Sequence, residues 1–266
     1  MDIMKNIGVV ALVLLAAMSA GAGVIYSTDF DATDFSNGSL NGQDGWWSNN
    51  NGAQVDAGNS LVTLPNTYAR GTQGTGFSLG VNDSVTLTVT YDIANVLVAQ
   101  GQDFLALGLA TGAENTIGVV KTRGEAKGTT AAGYSQQWRA PSDVTSAATS
   151  VVLGQTALGL DMPADDDMVP ITVVWTATKT GTADTFDINL EAFDGTTSLG
   201  SQTATIVDNA AYTAGTLYAG YQQSVNGDPG SVQLLSWETA VIPEPATLGL
   251  VAMAGVGIIS LRRIIM

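Results

Sequence analysis

Residues 84–93 carry the tightest constraint on what this chain can fold into. Val85, Leu87, Val89, Tyr91 and Ile93 alternate with Thr86, Thr88, Thr90 and Asp92. A period of two puts each set on its own face of an extended strand, an apolar face for a core and a threonine face for water. The pattern recurs. Ile171, Val173, Trp175 and Ala177 alternate with Thr172, Thr176 and Thr178, and Phe186, Ile188 and Leu190 with Asp187, Asn189 and Glu191. Lys179-Thr180-Gly181 and Asp194-Gly195 are turn sequences. Segments 169–178, 184–193 and 197–206 therefore read as an antiparallel meander. Phe104–Ala110, Leu217–Tyr221 and Val232–Trp237 add three more, and the body as a whole is expected to hold about ten. No long window between 23 and 241 has a helical period. At about 220 residues this stretch exceeds one immunoglobulin-type sandwich of roughly 100 residues. The fold class it predicts is all-β, a two-sheet antiparallel jelly-roll sandwich.

The two ends read differently. Lys5 precedes an apolar run from Ile7 to Met18, and Ala20-Gly21-Ala22 fits a small-residue processing site. Residues 1–22 are therefore expected to be a secretory signal helix cut after Ala22. Near the other end stands Pro243-Glu244-Pro245. Neither proline can donate a backbone hydrogen bond, and each biases its predecessor towards extended geometry, which leaves an accessible segment. Residues 246–261 carry no charge. As a helix they would span roughly 24 Å, and flanking apolar residues extend that towards the ~30 Å hydrocarbon core. Arg262 and Arg263 would hold the cytoplasmic end of this transmembrane helix. The expected organisation is a signal peptide at 1–22, a sandwich at 23–241 and a C-terminal signal at 242–266.

Charge and missing residue types exclude several functions. Setting aside Lys5, Arg262, Arg263, Asp2 and Glu244 leaves 6 basic against 22 acidic groups in the body, a net of −16. Such an excess disfavours nucleic acid as a partner. The chain has neither Cys nor His. That removes disulfides, thiolate metal sites, the commonest zinc ligand and Ser-His-Asp catalysis.

Three stretches could carry chemistry. In Trp46-Trp47-Ser48-Asn49-Asn50, an indole plane could stack on a sugar ring while Asn49 and Asn50 reach its hydroxyls. Neighbours on a strand face opposite ways, so at most one of Trp46 and Trp47 is expected to be buried. Asp161, Asp165, Asp166 and Asp167 read as a solvated acidic loop, without the spacing of an EF-hand. Tyr134-Ser135-Gln136-Gln137-Trp138-Arg139 fits a sugar groove and fits equally a strand with two buried aromatics.

Two resemblances add to this. Pro243-Glu244-Pro245, a Gly/Ala/Leu-rich apolar run and Arg262-Arg263 resemble the PEP-CTERM sorting signal of Gram-negative, biofilm-forming bacteria. Ile264-Ile265-Met266 departs from the more basic tail usual there. The resemblance implies export, a transient inner-membrane tether, cleavage near Pro-Glu-Pro by an exosortase-type membrane protease, and delivery to the cell surface or matrix. Tyr26-Ser27-Thr28-Asp29-Phe30, with the Gly-rich 38–46 segment ending in Trp46, resembles secreted concanavalin A-like (laminin G-like) jelly rolls. That likeness implies a sugar-binding or adhesive module, and a structural calcium near the chain ends with Asp29, Asp31 and Asp34 as candidate ligands. Glucanases of this fold place Glu-x-Asp-x-x-Glu on one strand, whereas Glu114, Glu125, Glu191 and Glu238 are isolated here.

The sequence thus predicts a non-enzymatic, exported protein of structural or glycan-binding role, with extracellular polysaccharide as candidate partner. A jelly-roll glycoside hydrolase and a permanently membrane-anchored adhesin are the alternatives.

Overall fold

A computed structural model describes residues 23–49, 52–64, 69–94, 103–114, 117–118, 120–130, 133–141, 150–158, 170–182, 185–207, 215–223 and 231–244. These form sixteen strands and no helix. The expected signal helix, the transmembrane helix and the acidic loop at 161–167 lie outside the described residues.

Two antiparallel sheets carry the fold. The nine-stranded sheet runs β14 (Thr197–Val207), β13 (Thr185–Asp194), β12 (Ile171–Lys179), β7 (Ser84–Ala94), β16 (Ser231–Ile242), β5 (Leu61–Leu64), β4 (Gln54–Asp56) and β2 (Gly38–Ser39). Its ninth strand, β1 (Gly23–Thr28), also pairs with β16, from Gly23 opposite Val241 to Thr28 opposite Trp237. The seven-stranded sheet runs β11 (Ser150–Leu158), β10 (Gly133–Pro141), β9 (Lys121–Thr130), β8 (Asp103–Ala110), β15 (Tyr218–Gln223), β6 (Ala69–Gln73) and β3 (Trp46–Ser48).

The alternating strands sit where their pattern predicts. Val85, Leu87, Val89 and Tyr91 are fully buried, as are Val173, Trp175 and Ala177 on the neighbouring strand. Their threonine faces meet in hydroxyl pairs, Thr86 with Thr176 at 3.0 Å and Thr90 with Thr172 at 2.9 Å. Sixteen strands exceed the ten read from sequence. The additions include very short strands, such as β2 and β4, and β9, whose sequence KTRGEAKGTT is small or polar on both faces.

The core between the sheets is largely aromatic. Trp46 lies 5.2 Å edge-on from Trp237 and within 6.2 Å of Phe30 and Tyr221. Tyr91, Phe104 and Trp138 form a second cluster with centroids 5.8 to 6.3 Å apart. Trp175 ties the sheets together by donating its Nε1 proton to Thr122 Oγ1 at 2.6 Å. Gly124 makes room for this packing, because a Cβ there would stand 2.5 Å from the Phe104 ring.

Two substitutions test this account. Trp237→Ala should cost about 3–5 kcal/mol through lost burial and a cavity. Gly124→Ala should cost about 1–3 kcal/mol by overpacking against Phe104. Both are read as shifts in the urea midpoint at unchanged slope.

Candidate functional site

Several polar residues and one tryptophan stand on the outer face of the seven-stranded sheet. Strand alternation decides which they are. In β15, Ala219 and Tyr221 belong to the core, which turns Gln222 outward. In β9, Thr122 meets Trp175 inside, which turns Lys121 and Arg123 outward. In β3, Trp46 is 1 % exposed, which turns half-buried Trp47 outward.

Register aligns these residues across the strands. Arg70 of β6 pairs with Gln222, Gln222 with Ala106 of β8, and Ala106 with Arg123. Arg139 of β10 is the next partner along the row. At the β3 edge, Asn49 is tied to the backbone of Arg70: its Oδ1 accepts from Arg70 N at 3.2 Å, and its own N donates to Arg70 O at 3.2 Å. The Arg70 guanidinium lies 5.8 Å over the Trp47 ring, a cation–π contact that holds the indole plane. Gln222 is only 8 % exposed, and its Oε1 is buried with no partner among the described residues. A buried acceptor left unmade costs about 1–3 kcal/mol.

The chain between β8 and β9 borders this row. Thr72 donates its hydroxyl proton to Ala113 O. Ile117 is buried against Gly220, where a Cβ would stand 2.9 Å from Ile117 Cγ2. Ala113 and Ile117 therefore stand beside the Arg70–Gln222–Arg123 row.

Of the four residues read as a glycan platform, Trp47 and Asn49 are brought together beside Arg70. Trp46 is corrected to a core residue: its indole is enclosed by Phe30, Tyr221 and Trp237, so no ring face is available for stacking. Asn50 lies outside the described residues. The three calcium candidates do not converge. Asp31 accepts from Thr33 N and Thr33 Oγ1 in a local turn, and no group of three His, Cys, Asp or Glu able to hold a metal exists among the described residues. In the 134–139 stretch, Trp138 is a core residue. Pro243 and Glu244 are exposed just beyond β16. Glu244 N donates to Asp83 Oδ1 at 2.8 Å, and its Oε1 accepts from Asn82 Nδ2 at 3.0 Å. Pro245, Arg262, Arg263, Ala20 and Ala22 lie outside the described residues.

Sequence reasoning missed Arg70, Arg123 and Gln222, and also a cross-strand pair. Asp103 of β8 and Glu125 of β9 are register partners. Their positions are adjacent only because two strands pair, so no spacing within one segment could signal it.

A hydrogen-bond relay anchors β3 next to the site. Trp46 Nε1 donates to Tyr26 Oη at 2.8 Å, and Tyr26 donates to Asp44 Oδ2 at 2.7 Å. Burial, then the bond to Asp44, pushes the Tyr26 phenol above its ordinary value. Burial does the same to Tyr221.

No protein-family model and no curated protein matches this chain. Solved structures do resemble it. An endo-1,3-beta-glucanase from Streptomyces sioyaensis superposes with a TM-score of 0.54 at 13% identity, over 85% of this chain and 98% of its own. Lectin UEA-II complexed with galactose gives 0.50 at 13% identity, over 82% of this chain and 98% of the lectin. Peanut lectin with a 9mer peptide gives 0.50 at 12% identity, over 84% and 98% respectively. At such identities the likeness is one of fold. The body is an all-β, two-sheet antiparallel sandwich that resembles the jelly rolls of these lectins and this glucanase.

The raised phenols set an alkaline limit on stability. Unfolded tyrosines ionise near pH 10, while the buried ones keep their protons. Their contribution is therefore full below about pH 10 and is lost as pH rises beyond it. Tyr221 alone should make stability fall by about 1.4 kcal/mol per pH unit there. Half-buried Tyr26 adds less, because solvent screens it. Urea midpoints across this range should show the slope, and Tyr221→Phe should flatten it.

Proposed function

We propose that this protein is exported to the cell surface or extracellular matrix, where its sandwich binds glycan on the outer face of the seven-stranded sheet without chemically altering it. One observation carries the binding role. The Arg70 guanidinium holds the half-buried indole of Trp47 on the outer face at the β3 edge. The opposite face of an indole fixed in this way can stack on a sugar ring. The shared fold with lectins supports this reading.

Export rests on the sequence features of the two ends. The exposure of Pro243 and Glu244 immediately after β16 is compatible with a protease reaching them. In this proposal an exosortase-type membrane protease of a Gram-negative bacterium cuts there, after a transient inner-membrane tether through 246–261. The anchored alternative keeps residues 246–266 in the mature protein.

The hydrolase reading has one observation in its favour. The Asp103–Glu125 register pair places two acidic positions side by side on the seven-stranded sheet, as paired-carboxylate glycoside hydrolysis requires. Release of reducing ends from a β-glucan, abolished by Glu125→Gln, would establish it.

Two outcomes test the main proposal. Trp47→Ala should weaken glycan binding about tenfold, a loss of about 1.4 kcal/mol, with the melting temperature nearly unchanged. Replacing Pro243, Glu244 and Pro245 together by alanine should leave the protein in the membrane fraction. Undiminished release into the medium would overturn the sorting role.

A further inference from the structure

Among the described residues, three large apolar side chains are exposed: Val24 at 58 %, Val81 at 51 % and Ile242 at 37 %. All three stand at one end of the nine-stranded sheet. Val24 of β1 pairs with Ala240 of β16. Thr239 and Val241 on either side turn to the core, so Ala240 and Ile242 turn outward with Val24. Ile242 is then a diagonal neighbour of Val24, about 7–8 Å away. Val81 lies in the turn before β7, whose first residue, Ser84, pairs with Ile242. The next two residues of that turn, Asn82 and Asp83, hold Glu244. We propose that this end of the sheet is a membrane-docking surface, seated on the headgroup layer of a zwitterionic bilayer while the chain is tethered. The inference rests on the tether reading of residues 246–261 above and adds a second contact to it.

Chain length brings the two together. Glu244 is bonded to the turn through its own N–H, and only Pro245 separates it from Ala246, where the uncharged run begins. Two extended steps reach about 7 Å. The run spans roughly 24 Å as a helix, against a hydrocarbon core of ~30 Å. Val241 and Ile242 do not lengthen it, because both are paired into β16, opposite Val85 and Ser84. A short span draws its flanks towards the bilayer, and the flank here is the sheet end that carries the three apolar side chains. Gly23, opposite Val241, brings the start of the body to the same place.

The charged groups at this end are engaged with the turns themselves. Asp83 accepts from Gly80 N at 2.7 Å and from Glu244 N at 2.8 Å, and Lys179 Nζ donates to Leu79 O at 3.1 Å. The contact is therefore apolar, and the acidic body disfavours an anionic surface. A second copy of the chain is a poorer occupant. A standard protein interface covers about 800 Å² on each partner, far more than three side chains supply. A tethered surface needs less, because the tether makes its contact intramolecular and raises the effective concentration. Cutting the tether removes that advantage, so docking and release are compatible.

The test places the full-length chain in phosphatidylcholine vesicles, with flotation showing whether the vesicles hold it. The chain has no Cys, so Val24→Cys, Val81→Cys, Ile242→Cys and Thr196→Cys each carry a single nitroxide label. Thr196 is exposed in the turn after Asp194, which pairs with Ile171 at the far end of β12, about 26 Å away. Oxygen concentrates in lipid and a nickel chelate in water. Labels at 24, 81 and 242 should be relaxed by oxygen at least about twofold more than the label at 196, and by the nickel chelate at least about twofold less. Val81→Asp should restore nickel access at position 24 while the vesicles still hold the chain. Nickel access at 24, 81 and 242 equal to that at 196, in chains that float, would overturn the docking and leave the tether standing. Loss of access to both reagents, with broadening between labels, would put a second copy in place of the bilayer and overturn the inference. Chains that do not float would overturn both readings. The label comparison uses exposed positions, so it decides the matter even if Val81→Asp fails to fold.

Discussion

Trp46 is the residue on which the rest of the arrangement depends. A buried indole needs both packing partners for its rings and an acceptor for its N–H. Trp237 from the opposite sheet, Tyr221 from the same sheet and Phe30 from the loop after β1 provide the first. Tyr26 of β1 provides the second, and Asp44 in turn satisfies Tyr26. One side chain thus fixes the edge strand β3 against both sheets and against the first strand of the sandwich. Because strand neighbours face opposite ways, burying Trp46 forces Trp47 outward, where Arg70 covers it. The core and the candidate binding face are two sides of the same three-residue strand.

How much of this could be read from the chain depended on whether a segment carried its own signal. β7 and β12 did, because every second side chain meets the core and the others meet water. β9 did not. Its residues Lys121, Arg123 and Glu125 alternate with Thr122, Gly124 and Ala126, and small or polar residues on both faces leave no apolar period. The double tryptophan was half legible: alternation required one inward and one outward residue, but only tertiary packing decides which. The arginine row was invisible, since residues 70, 106, 123, 139 and 222 become neighbours only through four strand pairings. Net charge hides placement for a related reason. It is a sum over the surface, and a total of −16 conceals five cations placed on one sheet.

The same sandwich occurs in lectins and in a glucanase, so the architecture leaves function to the residues grafted on it. Here the grafted set is unusual for its omissions. With no His and no Cys, proton transfer would fall to carboxylates, and specificity to amides, guanidinia and aromatic rings. These groups recognise hydroxyls and carboxylates well. Trp47, Arg70, Arg123 and Gln222 of the outer face are groups of this kind, and Gly220 and Gly108 stand beside them where a Cβ would meet neighbouring backbone.

β16 has a mechanical consequence. It is hydrogen-bonded along its whole length to β7 on one side, and to β5 and then β1 on the other. Ladder bonds run perpendicular to the strand axis, so tension drawn through Pro243 in the direction of the strand loads them in parallel, as shear, and they must yield together. An edge strand pulled from its end would instead peel away one bond at a time. The chain therefore leaves the sandwich from the strand best able to resist force, and a load applied at its carboxyl end is spread across the nine-stranded sheet before any core residue is exposed.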